Sequence, residues 1–159
     1  MIRILTWNIW HKNNWLEVAE LIKENKADII VLQEVDVNNE RTGFANVCEK
    51  ITEFLGFYSA FSPSIEKADG SKYGNCVISK YPIVESKRHF LSTEKEWVKD
   101  SREKMAETEP RTLLETAIQV NSKTICVMTL HLGYSKEFSS NETKTRQIEK
   151  VLEVLKYTI

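Results

Sequence analysis

The sequence predicts an α/β fold, and three observations carry that reading. Residues 2 to 33 read as strand, helix, strand. Residues 116 to 130 alternate as a hairpin. Ile29, Ile30, Val31 and Leu32 form a continuous apolar run of the kind found in strands buried on both faces. A chain of 159 residues, 42% hydrophobic, is long enough for one domain with a real core.

In chain order, Ile2 to Trp7 alternates as a strand with Ile2, Ile4 and Thr6 on one face, and Asn8 stands at its carboxyl end. Asn14 followed by Glu17 has capping-box character, and Trp15, Val18, Ala19, Leu21 and Ile22 share a face. This predicts a helix from about residue 15 to 25, with Asn25 as its stop. The strand over 28–33 follows after a short connection, so the two strands are expected to be parallel neighbours. Their carboxyl ends, carrying Asn8 and Glu34, then meet at the sheet edge where ligands bind in open sheets.

Phe44, Val47, Cys48, Ile51 and Leu55 predict a second helix ended by Gly56, and Phe57 to Phe61 a strand. Pro63 to Lys72 is polar, with a turn at Asp69 and Gly70. It leads through Tyr73, Gly74 and Asn75 into a strand of Cys76, Val77 and Ile78 that Tyr81 and Pro82 close. Dense charges of mixed sign from Ser92 to Thr108 predict a solvated helix or a flap. Thr116 to Val120 and Thr124 to Leu130 pair around Asn121 to Lys123 and deliver His131 at the end of the hairpin. Ile148, Val151, Leu152 and Leu155 mark a last helix. No repeat, linker or low-complexity segment divides the chain.

A net charge of -1 argues against a generic nucleic-acid coat or an anionic-membrane binder. No stretch approaches transmembrane length, and the amino end moves straight into a strand without the apolar core of a secretory signal. Cys48, Cys76 and Cys126 are odd in number, far apart and set among apolar neighbours. They read as small buried hydrophobes in a reducing compartment, without disulfides or zinc, and the expected location is the cytoplasm.

The chemistry concentrates where the apolar run ends in Gln33, Glu34 and Asp36. A rigid strand that hands carboxylates to open space is a common way to build a metal site, which makes Glu34 the lead residue. The same acids also read as the start of an ordinary solvated loop.

Six motifs occur in one order: TWNI at 6–9, LQEVD at 32–36, YGNCVISKYPI at 73–83, EPR at 109–111, LHLG at 130–133 and RQ at 146–147. In this the chain resembles the endonuclease/exonuclease/phosphatase, or DNase I-like, superfamily of nucleases, sphingomyelinases and inositol-polyphosphate phosphatases. The resemblance implies part of a four-layer α/β-sandwich, with mixed sheets facing each other and helices outside. It also implies a magnesium- or manganese-dependent phosphoesterase. By that comparison Glu34 ligates the metal and Asn8 lies beside it, a sparse donor set that suits a hard ion keeping its waters and the substrate phosphate. His131 matches the histidine that contacts the scissile phosphate and can protonate the leaving oxygen. Arg111 would neutralise phosphate charge, Tyr73 and Asn75 would help line the cleft, and Asp36 would orient Gln33 or a water on the ion. Two local readings stay open: Tyr73 as a core aromatic with a wet hydroxyl, and Arg111 as a cation paired with Glu109. His11 and His89 match no catalytic position and are read as structural, as are Arg146 and Gln147.

The GDFN-like and terminal SDH-like motifs of the superfamily have no counterpart before Ile159, and Asp69 and Asp100 do not replace them. Residues 1–159 are therefore expected to be one incomplete domain, the amino-terminal part of a longer enzyme and inactive alone. It is expected to expose an apolar sheet face through which it associates. A non-catalytic or split half-domain that binds a partner chain is the alternative. Nucleic acids, nucleotides, lipid headgroups and inositol phosphates all remain open as the phosphate-ester substrate.

Overall fold

The computed structural model describes residues 1–11, 14–134 and 141–158. In chain order its elements are β1 (Ile4–Asn8), α1 (Trp15–Glu24), β2 (Ile29–Val37), α2 (Val47–Leu55), β3 (Tyr58–Glu66), β4 (Lys72–Ser79), β5 (Ile83–Ser92), α3 (Arg102–Thr108), β6 (Arg111–Val120), β7 (Lys123–Leu130) and α4 (Glu142–Thr158). One sheet has the order β1-β2-β4-β3, the other β5-β6-β7. β1 and β2 are parallel, with Ile4 opposite Ile29 and Asn8 opposite Gln33, and every other pairing is antiparallel. The expected fold class is the observed one: a mixed sheet facing an antiparallel one, with helices outside.

Strand alternation divides the core in two. Ile30, Leu32, Val35 and Ile78 pack against Val18, Ala19 and Ile22 of α1 and Val47 and Ile51 of α2. Ile29 and Val77 point the other way and meet Leu114 and Ile118 of β6. Thr112 adds a polar tie between the sheets: its hydroxyl bonds the Ser62 and Ser64 hydroxyls at 3.1 and 3.0 Å.

Several expectations change. β5 lies in a stretch for which no strand is expected, and β6 begins at Arg111, five residues before the hairpin expected from alternation. Both fall where polar side chains interrupt the apolar pattern. β3 runs on through Pro63 to Glu66, accommodating the proline at a register shift. Phe44 lies before α2, which Asn46 caps by accepting from Glu49 N–H. The charged segment is partly pinned, since Trp97 Nε1 donates to Met105 O at 3.0 Å and Val98 N to the Thr108 hydroxyl at 2.9 Å.

The cysteine expectation is corrected outright. Cys48 of α2 and Cys76 of β4 are joined in a disulfide, their Cα atoms 6.4 Å apart, and Cys126 is exposed. Sequence distance concealed a pair that helix-on-sheet packing brings together, and the bridge removes the reading of all three cysteines as unpaired. Closing a loop with a sequence separation of 28 stabilises the fold by about 3–4 kcal/mol through lost chain entropy. Reductant is thus expected to lower the urea midpoint, and titration in urea without reductant should find Cys126 as the one reactive thiol. Three reactive thiols would remove the bridge.

The inner face is open at β1: Ile4 is 61% exposed, and Trp10 beyond the strand is 57% exposed. On α4, Ile148, Leu152 and Tyr157 are exposed as well. No helix among the described residues is long and apolar enough to cross a membrane.

Candidate active site

A bulge in β2 builds the centre of the site. Leu32 pairs with Cys76 and pairing resumes with Val35 opposite Gly74, so Gln33 and Glu34 together face Asn75. Glu34 takes the extra place with φ +61°, a left-handed conformation that costs a non-glycine residue about 1–2 kcal/mol. Its carboxylate is thereby aimed at the end of β1. Oε1 accepts from Asn8 Nδ2 at 2.9 Å, and Oε2 lies 3.2 Å from His11 Nδ1. His131, at the end of β7 in the other sheet, brings Nδ1 to 4.0 Å from Oε1. Burial pushes the Glu34 carboxyl up, but the Asn8 hydrogen bond and the two histidines outweigh it and hold the group below its usual range.

Arg111 is 4% exposed, and its guanidinium bridges Glu109 and His131. Nη2 lies 2.7 Å from Glu109 Oε2, and Nη1 donates to His131 Nδ1 at 3.3 Å. The two open readings of Arg111, Glu109 partner and site cation, therefore hold together. Among the described residues its buried Nε has no hydrogen-bond partner, an orphan donor that suits an anionic oxygen. Ser92 sets the strand start, accepting from Arg111 N at 3.0 Å and donating to Glu109 O at 3.2 Å. Gln147, buried on α4, clamps the same region: it accepts from Gly133 N at 2.9 Å and donates to Ser92 Oγ at 3.1 Å.

Tyr73 packs edge-on to His11 with ring centroids 6.3 Å apart. Burial, then the charges of Glu34 and Glu109, push its phenol well above the ordinary range, so it stays protonated. Burial likewise raises Glu109, against the pull of Arg111.

Three sequence assignments change. Asp36 orients neither Gln33 nor a water: it is 1% exposed and accepts from Arg41 Nε at 2.6 Å and Nη2 at 2.8 Å. Gln33 donates instead to the Thr129 hydroxyl at 3.1 Å, tying the two sheets. Asn75 does not line the cleft. It is 2% exposed, and its Nδ2 donates to Thr112 O at 2.9 Å. The bulge decides the first, because one extra residue before Asp36 reverses the face it presents, whereas Gln33 and Asn75 face the other sheet by the ordinary alternation they share with Ile29 and Val77. His11, read as structural, is in the site on Glu34. The available signal was its place in the strand-end loop three residues after Asn8.

Burial and then the charge of Arg111 depress His131 to about 4, against the opposing pull of Glu34, so the ring is neutral at pH 7. The unfolded chain binds a proton near pH 6.5 that the folded chain refuses. Stability is therefore complete above that pH and falls as pH drops from about 6.5 towards 4, by about 1–2 kcal/mol after allowing for solvent at the ring. Glu109, raised in the fold, contributes the opposite sign just above the ordinary carboxyl range. Comparing the pH profile in EDTA with that of His131→Asn isolates the histidine: the variant should flatten the fall, and identical profiles would refute the assignment.

The donor set fits a magnesium or manganese ion in its sparse form, one carboxylate from Glu34 with Asn8 beside it, since such hard ions take their remaining oxygens from waters and phosphate. Among the described residues no group of three or more His, Cys, Asp or Glu side chains is placed to hold a metal ion.

The family model for endonuclease/exonuclease/phosphatase proteins matches residues 5–95, which contain all of β1 but Ile4, the whole of β2 to β5, and Asn8, His11 and Glu34. The chain belongs to the endonuclease/exonuclease/phosphatase family. Among solved structures, an endonuclease/exonuclease/phosphatase from Beutenbergia cavernae superposes with a TM-score of 0.70 at 20% identity, covering 99% of this chain and 44% of that one. A humanised D. rerio TDP2 superposes with a TM-score of 0.66 at 13% identity, covering 99% of this chain and 60% of that one. At this identity the likeness is one of fold. Protein cwh43 of Schizosaccharomyces pombe is 27% identical over 74 residues, 46% of this chain and 7% of its own length. The chain thus spans 7% of that curated relative and about half of the solved structures.

Proposed function

We propose that the chain carries the amino-terminal part of a metal-dependent phosphoesterase centre that hydrolyses a phosphodiester or phosphomonoester by in-line attack of water. The observation that carries this reading is Glu34, held in a left-handed conformation so that one carboxylate meets Asn8 and His11 from its own sheet and His131 from the other. Glu34 and Asn8 would hold magnesium or manganese, which when bound neutralises charge on the phosphoryl oxygens.

The chain's own groups supply the rest. Arg111 Nε, buried and unpartnered among the described residues, would donate to a non-bridging oxygen, and the protonated Tyr73 hydroxyl would line the same space. His131, neutral and accepting from Arg111 at Nδ1, keeps its one proton on Nε2 and would donate from there towards the substrate. Once a phosphate offsets the arginine charge, the ring recovers basicity and can carry a proton to the leaving oxygen. We place the residue that deprotonates water outside residues 1–159, so the chain alone is expected to turn over little. The open inner face at β1 is where a further segment of the domain or a partner chain would associate.

Hydrolysis of bis(p-nitrophenyl) phosphate with magnesium or manganese tests this reading on the 159-residue chain and on the chain extended through any reading frame that follows Ile159. Metal-dependent turnover by the extended chain is the expected result. Binding of a partner chain without turnover in either form would favour the half-domain alternative.

A further inference from the structure

Arg111 and His131 meet at the ends of neighbouring strands, yet the ladder between those strands does not reach them. Pairing of β6 with β7 ends at Leu113 opposite Leu130, so Arg111 lies two residues before that pair and His131 one residue beyond it. What joins the two segments is a buried polar node centred on Gln147 of α4, a residue the sequence reads as structural. Its Oε1 accepts at 2.9 Å from the N–H of Gly133, two residues past His131, and its Nε2 donates to Ser92 Oγ at 3.1 Å. Ser92 Oγ also accepts from Arg111 N at 3.0 Å and gives its one proton to Glu109 O at 3.2 Å. Backbone N–H groups only donate, so the sense of each bond is fixed and the amide admits one orientation. The approach is close: a Cβ on Gly133 would lie 2.6 Å from Glu107 O and 3.5 Å from Gln147 Oε1. Lys150 Nζ, donating to Leu91 O at 3.0 Å, seats α4 beside Ser92, and Tyr134 N adds a longer bond to Ala106 O at 3.3 Å.

We propose that Gln147 is a positioning residue for phosphoryl transfer, one buried amide that sets the His131 ring against the Arg111 guanidinium. The inference rests on the phosphoesterase reading and adds to it a residue that acts only through others. Arg111 Nη1, which can only donate, lies 3.3 Å from His131 Nδ1, so the contact makes Nδ1 the acceptor and leaves the ring proton on Nε2. That choice of tautomer decides which nitrogen can give a proton to a leaving oxygen. With Gly133 released from Gln147, the ring loses its register on Arg111 and both tautomers become available.

Long-range proton–nitrogen correlation spectra of the chain itself, in EDTA at neutral pH, read the His131 tautomer. The wild type is expected to show the Nε2–H form. Gln147→Met, which keeps the length of the side chain and removes both bonds, should show a mixture of the two forms. Ser92→Ala, a smaller change that breaks the node at its other end, should mix them too, and it decides the matter where Gln147→Met does not fold. The wild-type tautomer in either folded variant would overturn the proposal. On the extended chain, Gln147→Met is expected to lower kcat for bis(p-nitrophenyl) phosphate about tenfold with KM little changed, and to have no further effect in a His131→Asn background. An equal loss in both backgrounds would also overturn it, because Gln147 would then act on the fold alone. Tautomer mixing in the variants, with no hydrolysis by the unsubstituted extended chain, would keep the hold of Gln147 on His131 and remove the phosphoesterase reading, so the two fail separately.

Discussion

Glu34→Gln is expected to abolish manganese binding by the chain and to lower metal-dependent hydrolysis by the extended chain at least about 100-fold. The change keeps the shape, and an amide oxygen can still accept from Asn8 Nδ2, which in the wild type lies 2.9 Å from Oε1. What it removes is the negative charge that a hard divalent ion requires. Glu34→Gly separates function from fold more sharply. The left-handed backbone at φ +61° suits glycine, so this variant should be as stable as the wild type or more so by up to about 1 kcal/mol, while binding no metal. Electron paramagnetic resonance of added manganese reads the first effect and a urea midpoint the second. A destabilised Glu34→Gly chain would mean that the carboxylate is there for structure, and retained manganese binding in Glu34→Gln would take Glu34 out of the metal site.

Among single substitutions, the largest loss of stability is expected at Gly74, where β4 passes Pro63 of β3. A Cβ added there would lie 2.0 Å from Ser62 O and 2.8 Å from Pro63 Cα, both backbone atoms of the neighbouring strand. No side-chain rotation relieves such a contact, so the strands must part. Gly74→Ala should therefore cost about 3 kcal/mol or more. Because Tyr73 and Asn75 flank the position, the site should loosen with it. Gly70 provides the contrast: it lies at the hairpin turn with φ +83° and open space where a Cβ would go, so Gly70→Ala should cost only about 1 kcal/mol of conformational strain. Urea midpoints of the two variants decide the matter, and equal losses would show that close strand approach is not what fixes Gly74.

Legibility followed the range of the interactions. Short-range periodicity was enough for the parallel β1 and β2, the two helices that cover them and the β6-β7 hairpin, because each buries one face defined by its own residues. It was not enough for β5, whose exposed middle carries Glu85, Lys87 and Arg88 and acquires its strand geometry from pairing with β6. The same holds for the cysteines. Nothing near Cys48 in the chain points to Cys76, and only packing of α2 on β4 brings them together.

The sequence by itself determined the class of fold, the edge of the sheet at which chemistry collects, and the presence there of Asn8, Glu34, Arg111 and His131. The tertiary structure alone decided the direction of the side chains at that edge. A single extra residue in β2 turns Glu34 into the site and sends Asp36 to Arg41, while the facing sheet hides Asn75 against Thr112. The meeting of the two sheets puts His11 and His131 on one carboxylate. Side-chain direction in a strand has a period of two, so one bulge inverts every assignment beyond it, and bulges arise from pairing with a partner strand that local sequence does not encode.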